Sequence, residues 1–270
     1  MVMNKYLVLC DLDDTLLTSQ KEITNDSVEF IKKFKELGNI FCIATGRPYQ
    51  GAYKYYEILG KDCPYVCDNG CSIYFKDETP VFFGIDFNIF KELMNKLIGK
   101  DRAIFVVTGN KVTYSHNYDL VPDFLKHNEL NDIINIENNF DSGEYIPLII
   151  NLYLKEEYYD DCIRILDSYK EYIRYTYWGN NDKVCAFEIR SINGSKGNAL
   201  NYLKEKYKIK DDHTIAFGDQ LNDIDMLKEA YYGVSMINAS EEVKKETKYT
   251  TDLDFNNNGV IEFLKNRKLY

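Results

Sequence analysis

Three carboxylates, Asp11, Asp13 and Asp14, stand within four residues, directly after the apolar run Tyr6–Cys10. Ionised groups at the end of a hydrophobic strand repel one another and lose hydration. Several of them can share a site if a divalent cation sits among them. The chain places further polar residues in equivalent positions. Thr45, Gly46 and Arg47 follow the apolar run "IFCIA", and Asp219, Asn222 and Asp223 follow "TIAFG". Lys196 opens a helical stretch after the flexible "SINGS". Each group also has a plain structural reading. Asp-rich turns stop strands, a threonine can enter a helix, a lone lysine is usually solvated, and Asp219 with Asn222 and Asp223 can cap a strand-to-helix turn. What favours chemistry is that all of them fall just after strands or at a helix start.

The elements that must position them read as alternating strand and helix. Tyr6–Cys10 is an apolar strand. Ser27–Leu37 puts Val28, Ile31, Phe34 and Leu37 on one helical face, with Gly38 as the stop. "NIFCIATGR" is a second strand, and Pro48 begins the helix "YQGAYKYYEIL". "PYVCDNG" is a third strand closed by Asp68-Asn69-Gly70. This style returns after Lys196 with the helix "KGNALNYLKEKY", the strand "TIAFGD" and the helix "NDIDMLKEAY". Such alternation predicts parallel βαβ units in a doubly wound, Rossmann-like α/β sheet, where ligands bind at the carboxyl ends of the strands.

The middle of the chain differs. Strand pairs such as "IPLIINLYL", "YIRYTYW" and "KVCAFEI" alternate irregularly with two helices, which predicts an antiparallel sheet with helices on one face. The acidic, Asn-rich "HNELNDIINIENNFDSGEY" reads as an irregular excursion. The expected organisation is a discontinuous core, 1–82 with 187–270, and an inserted α+β module, 83–186. The many tyrosines of that module read as packing and surface.

Composition narrows the function classes. A formal net charge of -10 argues against nucleic acid or an anionic membrane as the main partner. No apolar run approaches the roughly 18 residues of a membrane-spanning helix, and the N-terminal residues show no signal-peptide pattern. The seven cysteines sit mostly in apolar runs, as buried thiols of a reducing, cytoplasmic setting do. The even spacing of Cys63, Cys67 and Cys71 matches no usual zinc pair.

Four segments in order, "DLDDTLL", "ATGR", "SKGNAL" and "GDQLND", resemble the motifs of the haloacid dehalogenase-like hydrolases. The long insertion, with "DNG" before it and "SMINASEEVK" after the fourth motif, resembles the Cof-type sugar-phosphatase branch, whose cap lies there. The resemblance spans nearly the whole chain. It implies that Asp11 is a nucleophile forming an aspartyl-phosphate and that Asp13 is the general acid and base. It implies a magnesium site at Asp11, Asp13 (through its backbone carbonyl), Asp219 and Asp223. Thr45 and Lys196 would hold phosphoryl oxygens, with Asn222 and Asp223 completing the site and positioning the lysine. Gly46, Arg47 and Asn69 are further expected contacts on the substrate side. The expected reaction is Mg2+-dependent hydrolysis of a small phosphorylated metabolite, a sugar phosphate first, by a monomer or dimer. A phosphomutase or phosphotransferase of the same superfamily, or a silent metabolite-binding protein, are the alternatives. One departure is that "FEIRSINGSKG" reaches the lysine without the proline often found there.

Overall fold

The computed structural model describes residues 5–99, 101–109, 113–117, 119, 133–135 and 145–269. The strands in chain order are β1 (Leu7–Cys10), β2 (Ile40–Ala44), β3 (Tyr65–Cys67), β4 (Ser72–Tyr74), β5 (Val81–Phe82), β6 (Arg102–Thr108), β7 (Thr113–His116), β8 (Ile133–Asn135), β9 (Pro147–Lys155), β10 (Ile173–Asn181), β11 (Val184–Ser191), β12 (Thr214–Gly218), β13 (Tyr232–Ser235) and β14 (Tyr249–Thr250). The helices are α1 (Asn25–Glu36), α2 (Tyr49–Ile58), α3 (Phe87–Leu97), α4 (Tyr159–Asp167), α5 (Lys196–Tyr207), α6 (Ile224–Glu229), α7 (Glu241–Lys245) and α8 (Gly259–Asn266). The chain forms two compact units, one ending at Val81 and resuming at Ser195, the other Phe82–Gly194.

The first unit is built on the sheet β14-β13-β12-β1-β2-β3-β4-β5. Strand β1 lies at its centre, parallel to β12 on one side and β2 on the other. Its four residues Leu7, Val8, Leu9 and Cys10 are all fully buried, as a strand covered on both faces requires. The register sets Cys10 beside both Phe217 and Ile43. The chain therefore leaves β1, β2 and β12 on one edge, and Asp11, Thr45 and Asp219 emerge together. From β1 the strand order runs outward in both directions, so this edge is a topological switch point, where a doubly wound sheet opens a crevice. The expected parallel α/β core is borne out. One feature differs from expectation: Asp68–Gly70 is the turn of a hairpin, because β4 returns antiparallel to β3.

The second unit carries the sheet β10-β11-β9-β6-β7-β8, antiparallel except for the parallel β7–β8 pair. Alternate residues Ile150, Leu152 and Leu154 of β9 and Cys185, Phe187 and Ile189 of β11 share one buried cluster with Phe90, Leu93, Met94 and Leu97 of α3 and with Cys162 and Leu166 of α4. The expected helices on one face are present. Of the expected irregular excursion, only the short strand β8 and Tyr145 lie among the described residues. Tyr145 and Tyr153 are buried, and Tyr159 and Tyr177 pack on Phe187, so these rings serve packing. The expected return to the core at 187 falls too early, since it would cut β11, whose pairing with β9 and β10 holds it in the second sheet as far as Ser191. No helix among the described residues is long and apolar enough to cross a membrane.

Candidate active site

The loop after β1 is tied down from both sides. The Asp11 N–H donates to the Phe217 carbonyl (3.0 Å), extending the β1–β12 pairing by one residue. The next residues form one wide turn, closed by the Leu17 N–H on the Leu12 carbonyl (2.9 Å). Asp14 takes a left-handed conformation (φ 55°), which aspartate tolerates better than most residues. Its carbonyl accepts from the Asn238 side-chain amide (2.9 Å), which draws the "SMINAS" loop into the site.

Beneath that loop lies a buried chain of charges. Lys196, at the start of α5, is fully buried, and its Nζ donates to Asp11 Oδ1 and to Asp223 Oδ1, each at 2.6 Å. Asp223 Oδ2 accepts the backbone N–H groups of Asp219 and Gln220, both at 3.0 Å. Asp219 Oδ1 accepts from the Thr15 hydroxyl and Oδ2 from the Gln220 side-chain amide, both at 3.0 Å. The close approach of Asp223 needs Gly218, where a Cβ would stand 2.5 Å from the Asp223 side chain. Asp11, Asp219 and Asp223 bring ligand oxygens within 4.8 Å of one another, the one such acidic or metal-ligating group among the described residues.

Electrostatics show a cluster short of positive charge. Burial lifts the Asp11 carboxyl to about 8, with Asp223 adding to the rise and Lys196 opposing it. Burial and the Asp223 charge lift Asp219 to about 7. Burial alone would push the Lys196 ammonium down, but the charges and hydrogen bonds of Asp11 and Asp223 hold it above the ordinary lysine range. A hard divalent cation among oxygen donors relieves this crowding, so the residues fit a magnesium site. Asp223, expected among the ligands, already has both oxygens engaged by Lys196 and two amides; the geometry suits it to positioning the lysine.

Asp13 stands apart from the buried carboxylates. Its oxygens accept from Arg47 Nε (2.7 Å) and Nη2 (2.8 Å) and from Lys21 Nζ (2.8 Å). Partial burial alone would raise its carboxyl, but the hydrogen bonds from Arg47 and Lys21 hold it at about 2. In this arrangement Asp13 is an ionised, paired carboxylate. Arg47, expected on the substrate side, is its bidentate partner and also lies over the Tyr55 ring (5.5 Å). Nothing in the local sequence singled out Lys21.

The remaining expected residues meet through the β3–β4 turn. Thr45 is buried and its hydroxyl accepts the Arg47 N–H (3.1 Å). The Asn69 N–H donates to the Thr45 carbonyl (3.1 Å), and its side-chain oxygen accepts from the Asn222 amide (2.8 Å). Gly46 lies so close that a Cβ there would stand 2.9 Å from that same oxygen. Asn69 is thus a buried brace between the loops after β2 and β12. Gly70 (φ 94°) packs on the start of α5, and an added Cβ would sit 2.1 Å from the Ser195 carbonyl carbon. The turn therefore seats Lys196. Gly70→Ala should cost about 2–4 kcal/mol in denaturant unfolding, combining backbone strain with overpacking. Gly60→Ala is the matched control, with the same φ of 94° and no neighbour nearer than 3.5 Å. Equal losses would show that the contact with Ser195 carries no weight.

Sequence reasoning passed over Thr15 and Gln220 as holders of Asp219. A signal existed for the second: Gln220 and Asp223 stand at the spacing of a capping box, and the Asp223 carboxylate accepts the Gln220 backbone N–H (3.0 Å).

The family profile described as haloacid dehalogenase-like hydrolase matches residues 8–264. The 5-amino-6-(5-phospho-D-ribitylamino)uracil phosphatase YitU of Bacillus subtilis is 28% identical, with 96% of each chain covered. The pyridoxal phosphate phosphatase YbhA of Escherichia coli is 26% identical, over 90% of this chain and 91% of that one. The crystal structure of TM0651 from Thermotoga maritima shares the fold, with a TM-score of 0.80 at 23% identity and 97% of each chain covered.

Proposed function

Since this chain belongs to the haloacid dehalogenase-like hydrolases, as a phosphatase of the Cof type, we propose that it hydrolyses small phosphorylated metabolites, sugar phosphates first among them, with Mg2+ and through an aspartyl-phosphate. The observation that carries this reading is the buried set in which Lys196 bridges Asp11 and Asp223 beside Asp219. Asp11 is the nucleophile. Its free oxygen attacks phosphorus, the ester P–O bond breaks, and the leaving oxygen takes a proton from Asp13. Asp13, then ionised, takes a proton from water, which attacks the phosphorus of the intermediate and frees phosphate and Asp11. Such proton transfers contribute about 10²–10⁴ in rate. Asp13 must leave its pairing with Arg47 and Lys21 to carry a proton, because an acid held near 2 stays ionised.

A carboxylate about 4 Å from one phosphate charge meets a repulsion of about 4 kcal/mol at an effective dielectric of 20. Lys196 offsets part of this, and on this reading Thr45 holds a phosphoryl oxygen. A bound Mg2+, held by Asp11, Asp219 and the Asp13 backbone carbonyl, supplies the remaining positive charge. The second unit is assigned the choice among substrates. A cytoplasmic setting is the one that buried free thiols suit, and six of the seven cysteines are buried.

Phosphate release from a panel tests the reading. The panel should hold sugar phosphates, pyridoxal phosphate and the phosphoribityl-aminouracil named for the Bacillus relative. EDTA should abolish turnover and Mg2+ restore it, while Ca2+, which prefers a larger and looser shell, should not. Full turnover in EDTA sinks the metal assignment; no phosphate from any compound sinks the reading.

A further inference from the structure

We propose that Gln220 is a positioning residue for the metal: it fixes the plane of the Asp219 carboxylate and so sets the affinity of the site for a divalent cation. This rests on the metal-dependent reading above. A terminal carboxylate rotates in a broad, two-fold well, so one attachment leaves its plane loose. Asp219 has two. The Thr15 hydroxyl holds Oδ1 from the β1 loop, and the Gln220 amide holds Oδ2 from the neighbouring residue, both at 3.0 Å. The two donors differ in kind. A hydroxyl swings about its own bond, whereas a side-chain amide presents its N–H in a fixed plane.

Gln220 is itself tied to Asp223 through its backbone. The Asp223 N–H donates to the Gln220 carbonyl (3.0 Å), while the Asp223 carboxylate accepts the Gln220 backbone N–H (3.0 Å). The backbone of Gln220 thus meets Asp223, which holds Lys196, and its side-chain amide meets Asp219. Gln220, at the exposed end of the set, joins the lysine and the metal-facing carboxylate in one sequence of contacts: Thr15, Asp219, Gln220, Asp223, Lys196, Asp11. Groups that orient a metal ligand in this way typically account for about 10–100-fold in metal affinity.

The test is Mn2+ binding to the full-length protein by calorimetry, with Mn2+ as the probe because it accepts the same hard oxygen donors. Gln220→Met keeps the bulk and removes the amide donor to Asp219; its Mn2+ affinity should fall about 10–100-fold. Leu221→Gly is the control: it loosens the same turn at an exposed position and leaves both hydrogen bonds to Asp219 in place. Its affinity should stay within about twofold of the parent protein's, well short of the expected loss. Thermal melting of each metal-free variant shows whether it is folded at the binding temperature. If Gln220→Met melts below it, Gln220→Leu, which likewise lacks the amide donor, takes its place with the same expected loss. Unchanged affinity in the folded variant overturns the proposal, and so does an equal loss in Leu221→Gly, which would make turn rigidity the cause. If the parent protein binds no Mn2+, the metal reading falls and this inference with it. If the parent binds and Gln220→Met binds as tightly, only this inference falls.

Discussion

Asp11→Asn should release no measurable phosphate from any substrate, a loss on the order of 10⁴-fold or more, as removal of a covalent nucleophile entails. The fold should survive, because the asparagine oxygen can still accept from Lys196, which keeps its second partner at 2.6 Å on Asp223. Asp13→Asn should behave differently. It keeps the nucleophile, the buried network and the backbone carbonyl, and loses the proton carrier together with the charge that pairs with Arg47 and Lys21. A sugar phosphate, whose alkoxide needs a proton to leave, should react severely more slowly. An aryl phosphate leaves more readily, so transfer to Asp11 should suffer less, while hydrolysis of the intermediate still lacks its base. Asp13→Asn given an aryl phosphate should release a burst of phenol and gain about 80 Da on Asp11, the mass of one HPO₃, seen by mass spectrometry. Label on another residue, or the same burst from Asp11→Asn, overturns the division of roles.

Lys196→Met should cost both activity and stability. Its Nζ is the cation shared by Asp11 and Asp223, and it is fully buried. Removing one partner of a buried pair strands the other charge, at a cost of about 3–5 kcal/mol, and loss of a group that steadies transferring phosphoryl charge costs about 10²–10³ in rate. The stability loss should depend on pH. The Asp11 carboxyl sits at about 8 in the metal-free fold, above its value of 3.8 in the open chain, so the native state binds the extra proton between those limits. Stability from such a group is present below about pH 4 and fades as pH rises toward 8. Without the lysine the carboxyl rises further, so in EDTA the melting-temperature gap between variant and parent should be wider at pH 8 than at pH 5. A gap that narrows with pH would show that Lys196 does not serve these carboxylates.

Much of this site is legible in the sequence, for a reason rooted in sheet geometry. Parallel strands share one direction, so whatever follows each apolar run must appear on the same edge. "LVLC", "IFCIA" and "TIAFG" therefore placed Asp11, Thr45 and Asp219 on one edge, and the strand–helix alternation determined the α/β core; the strand order β12-β1-β2 then made the three neighbours. What the tertiary structure alone decided is which charge answers which. Asp13 pairs with Arg47, 34 residues on, and Lys196 with Asp11, 185 residues back. No periodicity encodes such pairings, because they depend on where loops carry flexible side chains once the sheet has closed. The same holds for Gly70, whose missing Cβ matters only because Ser195 arrives beside it. It holds for the end of the second unit, where β11 stays with its sheet until Ser191 because its partners β9 and β10 are there, a fact of hydrogen-bond register rather than of local hydrophobic pattern.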